Sequence, residues 1–190
     1  MSELDLTKIT LRPMELGDWP RIHEWASQPV ASRYQPWGPN SEQETEAFVA
    51  AAIGAWGSEP QLRYPWVAAE PELGVLGIGE LNIRNARWRR GEISYSVHHE
   101  FWGQGIAGEI GRLLCAIGFE VLGLERVEAT CDPRNGASAA VLKRIGMTYE
   151  GTLRRTVLIR EGWRDSAMHS LIRPDWRPPA PTAEPRWSLG

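Results

Sequence analysis

Two cysteines, four histidines, no long apolar run and no basic stretch are found in the 190 residues of this chain. Cys115 and Cys131 are too few for a disulfide framework and lack metal-ligand spacing, so both are expected to be buried, reduced thiols. His23, His98, His99 and His169 are scattered, and no metal site is expected. Neither an 18-residue apolar span nor a leader with a basic start occurs, which points to a cytoplasmic protein with no membrane association. The net charge of −3 and the pI near 5.9 argue against a nucleic-acid partner. With 42% hydrophobic residues, one domain with a sizeable core is the expectation.

The patterning alternates between helical and extended periods. Ile9 to Arg12 reads as a short strand, and Gly17 to Ala26 as a helix with Trp19, Ile22 and Trp25 on one face. Ser41-Glu-Gln-Glu44 is a capping box that opens a second helix through Phe48, Ala52 and Trp56. Strands are predicted at Tyr64–Ala69, Gly74–Ile83 and Glu92–Val97. The apolar stripe Ile106, Ile110, Leu113, Leu114, Ile117 then predicts a helix to about Gly118. Val127 to Cys131 alternates as a strand, and Ser138 to Ile145 is a helix stopped by Gly146. Two last strands, Thr152–Arg160 and Arg164–Ile172, flank the Glu161-Gly162 turn. The domain is expected to span residues 1–176, followed by a Pro-rich tail, 177–190, with little structure of its own.

The most informative stretch is Phe101-Trp-Gly-Gln-Gly-Ile-Ala-Gly108, a glycine-rich turn leading from a strand into an amphipathic helix. Glycines permit close approach of the backbone to a ligand, and free amides at a helix start attract a phosphate. Gly103-x-Gly105-x-x-Gly108 is formally a dinucleotide fingerprint. That fingerprint belongs in the first βα unit of a doubly wound sheet; here about a hundred residues precede it and too few follow.

Offset residues give a second reading: Trp102-x-x-Gly105-x-Ala107, then Asp132-Pro-Arg-Asn135-Gly-Ala-Ser138, then Leu142-Lys-Arg-Ile-Gly146-Met147. In this order, with Ile9-Thr-Leu-Arg-Pro13 and Trp163-Arg-Asp165, they resemble the GNAT superfamily of N-acetyltransferases. The likeness is greatest to the branch of ribosomal-protein N-terminal (Rim-type) and small-molecule acetyltransferases. The resemblance implies an α/β (α+β) fold, with a mixed, mostly antiparallel central sheet, splayed strands and flanking helices. It implies acetyl-CoA as cosubstrate and no metal. The pyrophosphate would meet the amides of Gly103, Gln104, Gly105, Ile106, Ala107 and Gly108 beside Trp102. Backbone groups of Val97, His98 and His99 would meet the pantetheine arm, with Asn135 near its end and Ser138 near the sulfur.

Acetyl transfer to an amine requires a neutral amine, a stabilised carbonyl oxygen and a thiolate that can leave. An α-amine with a pKa near 8 costs about 1.4 kcal/mol to deprotonate at pH 7, and a lysine about 4.6 kcal/mol. Glu92, on a strand whose Glu92, Ser94 and Ser96 share a face, is the first candidate base; Glu80 is the second. Either could equally be an exposed charge paired with Arg84 or Arg87. Many relatives carry a tyrosine where this chain has Leu142, which cannot donate a proton; Ser138, one turn earlier, is the available substitute. Trp37, Trp56, Trp66 and Trp88 fall in segments that border the acceptor cleft in relatives, although core or interface packing is the favoured account of any one of them. The expected reaction is direct attack by a primary amine in a ternary complex, with no cysteine obviously placed for a covalent intermediate. The acceptor would be a small molecule of the amino-sugar or antibiotic type, or a peptide N-terminus. A non-catalytic acyl-CoA sensor is the alternative, and edge strands with surface tryptophans are compatible with a homodimer.

Overall fold

A computed structural model describes residues 4–178 and 185–190. Its centre is one seven-stranded sheet in the order β1-β2-β3-β4-β5-β7-β6. The strands are β1 (Thr10–Pro13), β2 (Arg63–Glu70), β3 (Gly74–Asn85), β4 (Arg90–Val97), β5 (Arg126–Cys131), β6 (Thr148–Ile159) and β7 (Gly162–Ile172). Every neighbouring pair is antiparallel except β4–β5, which is parallel. That single parallel pair requires a crossover. Helix α4 (Ile106–Ala116) and a π-helical turn (Ile117–Val121) supply it.

Helices α1 (Trp19–Ala26), α2 (Pro29–Ser32) and α3 (Glu42–Ala55) lie on one side of the sheet. The capping box forms as expected: Ser41 Oγ accepts from the Glu44 amide, and the Glu44 carboxylate accepts from the Ser41 amide. Trp25, Ile22, Val49 and Ala52 pack there against Val67 and Val75. On the opposite face Ile110, Leu113 and Leu114 of α4 join Leu81, Ile93 and Val127 in the larger core, and α5 (Gly136–Arg144) lies beside α4. The close approach of α4 depends on β3. A Cβ on Gly79 would sit 2.8 Å from Ile110 Cγ2, and one on Gly77 would sit 2.6 Å from the Ser96 carbonyl oxygen. Larger residues there would push α4, and the turn that precedes it, off the sheet.

Residues 185–190 take their order from the sheet. The Leu11 amide donates to Arg186 O at 2.8 Å and the Ser188 amide to Leu11 O at 2.9 Å, extending the β1 edge in parallel. Trp187 packs against the core, Trp66 Nε1 donates to Ser188 O at 2.8 Å, and Arg186 pairs with Glu109 in the first turn of α4. A Pro-rich composition predicts poor autonomous structure, but it does not prevent an end from docking on an open edge. Deleting residues 185–190 is expected to lower stability by about 1–3 kcal/mol, since it leaves the buried Trp66 N–H unpaired. A urea midpoint equal to that of the full chain would show that the docking contributes nothing.

Among the described residues no helix is long and apolar enough to cross a membrane. Nor does any group of three or more His, Cys, Asp or Glu stand ready for a metal ion.

Candidate active site

The turn before α4 is built for an anion. Gly103 and Gly105 have φ of 81° and 86°, conformations that side chains oppose. Gly105 is the N-cap of α4 and offers no side chain to its first amides; the first intrahelical bond runs from Glu109 N to Gly105 O. The amides of Ile106, Ala107 and Gly108 precede that bond and point out of the helix end, where its dipole is positive. A Cβ on Gly105 would lie 3.0 Å from Leu6 Cδ1, so a side chain at this position is opposed by a neighbour as well as by φ. Glu109 places an acid close by, but Arg112 and Arg186 both pair with it. Trp102, half exposed, pins the turn to the end of β4 by donating from Nε1 to Val97 O at 2.8 Å. Gln104 is exposed, and the Ile106 side chain belongs to the core, so that only its backbone amide faces out of the helix end.

Next to this turn the sheet opens. Pairing between β4 and β5 covers only Arg90↔Arg126, Gly91↔Val127 and Glu92↔Glu128, although β4 continues to Val97 and β5 to Cys131. His98 N donates to Leu76 O at 2.9 Å. Even-numbered β4 residues therefore turn their backbone groups toward β3, and odd-numbered ones, Ile93, Tyr95 and Val97, toward the gap. His98 and His99 are not so placed. The His98 amide is committed to β3, and both carbonyls close a 3-10 turn by accepting from Phe101 N and Trp102 N. The His98 ring is buried against Trp25, with Nε2 3.4 Å from the Glu24 carboxylate; burial, with help from Arg21, pulls its pKa below the usual value.

The gap widens into a cleft of roughly 430 Å³, counting its open mouth. Ile93, Ser94 and Tyr95 of β4 form one wall and Ala129 to Asp132 of β5 the other; Asn135, Ser138 and Leu142 of α5 close one end, and Tyr34, Gln35 and Arg164 the opposite one. The Asn135 side chain caps α5 by accepting from Ser138 N at 3.1 Å, so its turn chemistry and its place in the cleft coexist. Ser138 Oγ lies 3.4 Å from the Tyr95 hydroxyl. Burial pushes the Tyr95 phenol up to about 12. Tyr95 was hidden in the sequence by the side-chain alternation that favoured Glu92; it occupies the other face of the same strand. Cys131, a buried free thiol like Cys115, also lines the cleft, and burial raises its thiol pKa.

The two candidate acids are placed differently. Glu92 pairs with Arg84 at 2.6 Å and accepts from Thr130 Oγ1, a cleft residue, at 3.4 Å. Glu80 lies one strand further away, held through both oxygens by Arg63 at 2.5 and 3.2 Å. The tryptophans do not assemble into a cleft wall. Trp66 is fully buried and Trp56 packs edge-on against it; Trp37 leans on the α1–α3 core, and Trp88 is exposed in the β3–β4 turn. Trp56 and Trp66 therefore serve packing, whereas Trp88 is left to solvent.

A seven-stranded, mostly antiparallel sheet, with one parallel pair splayed beside a glycine-rich helix start, defines an acyl-carrier-binding transferase class. The profile of the acetyltransferase (GNAT) domain matches residues 8–148, and the chain belongs to that family; it is an acetyl-CoA-dependent N-acetyltransferase. The uncharacterized N-acetyltransferase p20 of Bacillus licheniformis is 28% identical over 179 residues, covering 93% of this chain and 99% of that protein. A GNAT-family acetyltransferase from Bacillus anthracis superposes with a TM-score of 0.78 at 25% identity, covering 87% of this chain and 95% of the other. The spermidine N-acetyltransferase of Vibrio cholerae, solved with CoA and spermine, has a TM-score of 0.76 at 20% identity, with coverage of 89% and 98%. At that identity the last likeness speaks for the fold alone.

Proposed function

We propose that this chain acetylates a small-molecule primary amine by direct attack in a ternary complex, across the gap between β4 and β5. The observation carrying this reading is the splay of β4 from β5 beyond Glu92, at the end of the sheet that leads into the amide cradle at residues 103–108: the opening holds a cleft lined by residues of both strands and both sheet faces. The cradle residues fit a diphosphate, which needs backbone donors and space, and the outward backbone groups of Tyr95, with the Val97 amide, fit the amides of a pantetheine arm, the Val97 carbonyl being taken by Trp102. Bound acetyl-CoA supplies the activated acyl group.

The protein groups then divide by face. On the side opposite α4, Thr130 and Glu92 take the proton that the attacking amine must lose. On the α4 side, Ser138 and Tyr95 face the departing sulfur as the C–S bond breaks and the N–C bond forms. A phenol held near 12 does not surrender its proton to a thiolate with a pKa near 8.5, so Tyr95 acts as a hydrogen-bond donor through Ser138. It fills the place left by Leu142, from a different element. Cys131 is kept protonated by burial, which disfavours an acyl-cysteine intermediate and supports direct attack.

Thiol release from acetyl-CoA with a panel of amines tests the reading. Turnover with at least one primary amine, with lines that intersect when both substrates are varied, is the expected result. CoA binding without turnover on any amine or peptide N-terminus would instead identify a sensor, and parallel lines would indicate a covalent intermediate. Tyr95→Phe is expected to lower kcat by about 3- to 10-fold, the worth of one hydrogen bond, with CoA affinity retained. An unchanged kcat removes Tyr95 from the mechanism.

A further inference from the structure

Arg164, on β7, is a buried cation with unused donors. Its side chain is 10% exposed, and it lines the cleft near Tyr34 and Gln35. Nη1 is satisfied by Asp165 O at 2.9 Å and Ser166 Oγ at 3.0 Å. Nε is buried with no hydrogen-bond partner; Nη2 has no protein partner among the described residues but is not sealed from solvent, so it is open to a ligand. Asp132 is the nearest acid, with Oδ2 4.0 Å from Nε, too far for a hydrogen bond. Its carboxylate is already committed: Oδ1 accepts from Arg134 N and Nε, and Oδ2 from Arg134 Nη2. Leaving guanidinium donors unmade in a buried site is costly unless a ligand supplies the acceptors. The Nε/Nη2 edge is the edge of arginine that grips a planar carboxylate through two parallel hydrogen bonds.

The orientation places that ligand on the acceptor side. Met168 pairs with Thr130 across β5–β7, and alternation puts Arg164 on the same face as Met168, hence of Thr130 and Glu92, opposite the face that carries α4. The cleft holds one acid, Asp132, shared between Arg134 and the more distant Arg164, so no negative charge is left over there for a polycation. We propose that Arg164 binds the acceptor's own carboxylate, so that the substrate is an amino acid-type primary amine rather than a polyamine or a neutral amine. This inference rests on the reading of the cleft as the acceptor site.

The test uses the wild-type chain with acetyl-CoA and matched triplets: α-amino acids with varied side chains, their carboxamides, and the corresponding decarboxylated amines, with spermidine alongside. The best carboxylate is expected to exceed its carboxamide and its decarboxylated partner in kcat/KM by on the order of 10- to 100-fold. Arg164→Gln should erase that ratio mainly through KM while CoA affinity, read by calorimetry, stays within about twofold; Arg164→Lys should restore part of it. Carboxamides or spermidine equal to or better than the acids overturn the inference and leave the acetyltransferase reading standing. So does a carboxylate preference that survives in a folded Arg164→Gln. No turnover with any amine, while CoA binds, removes the acceptor-site reading and the inference with it.

Discussion

Gly105→Val is expected to weaken CoA binding by more than about 100-fold while leaving most of the fold intact. Two effects combine at this position. Gly105 holds φ at 86°, in a region that costs an ordinary L-residue roughly 1–2 kcal/mol and a β-branched one more. The new side chain would also begin 3.0 Å from Leu6 Cδ1 and grow into the space the first-turn amides of α4 require. Gly103→Ala separates the two contributions. Gly103 is equally left-handed at 81°, yet a Cβ there meets nothing within 4 Å, so strain acts without collision inside the protein. Titration calorimetry should therefore find a loss for Gly103→Ala of about 3- to 30-fold, the equivalent of that strain alone. Equal CoA affinity in wild type and Gly105→Val, with α4 still formed, would separate the cradle from the diphosphate.

The cradle was legible because it is local. Glycines, a helix start and an apolar stripe lie within a dozen residues, and so does the Ser41–Glu44 capping box. Strand β4 was legible for the same reason, whereas the mixed sheet came only with the family resemblance. What escaped depends on contacts between distant segments. Alternation told that Glu92, Ser94 and Ser96 share a face, but not that Tyr95 on the opposite face would meet Ser138, 43 residues later. Trp66 looked like a candidate cleft wall until β1, β3 and the returning C-terminal residues enclosed it. Arg164 entered the sequence reading only as the middle of Trp163-Arg-Asp165, with no role of its own, since its significance lies in the donors its neighbours leave unused. Sequence separation, more than residue type, divides the two sets.

The charges follow the same division. Glu80 and Glu92 are both strand acids two residues from a serine or asparagine in sequence, and periodicity cannot rank them. The fold does so through their partners. Arg63 closes on both Glu80 oxygens, whereas Arg84 binds one Glu92 oxygen and leaves the other to Thr130 at the cleft edge. A carboxylate with one oxygen linked to the cleft can relay a proton; one fully forked by arginine is better suited to holding strands together.

Glu92→Gln is accordingly expected to reduce kcat by about 100-fold at neutral pH, the lower end of what general-base catalysis contributes, with CoA affinity unchanged. The dependence on pH is the sharper readout. If Glu92 accepts the proton of a bound ammonium, wild-type kcat/KM is nearly flat below the acceptor's own pKa, which is near 8 for a peptide α-amine and higher for a free amino acid. The variant must instead wait for amine that is already neutral, a fraction that falls about tenfold for each pH unit below that pKa. The ratio of wild type to variant should therefore widen as pH drops from 8 to 6 and narrow toward pH 9. Tyr95→Phe provides the contrast. Its phenol, held near 12, is protonated throughout this range, so its deficit should be the same at pH 6 and pH 9. Should the Glu92→Gln deficit also prove independent of pH, proton removal does not pass through Glu92, and its pairing with Arg84 and Thr130 serves to hold β3, β4 and β5 at the separation the gap requires.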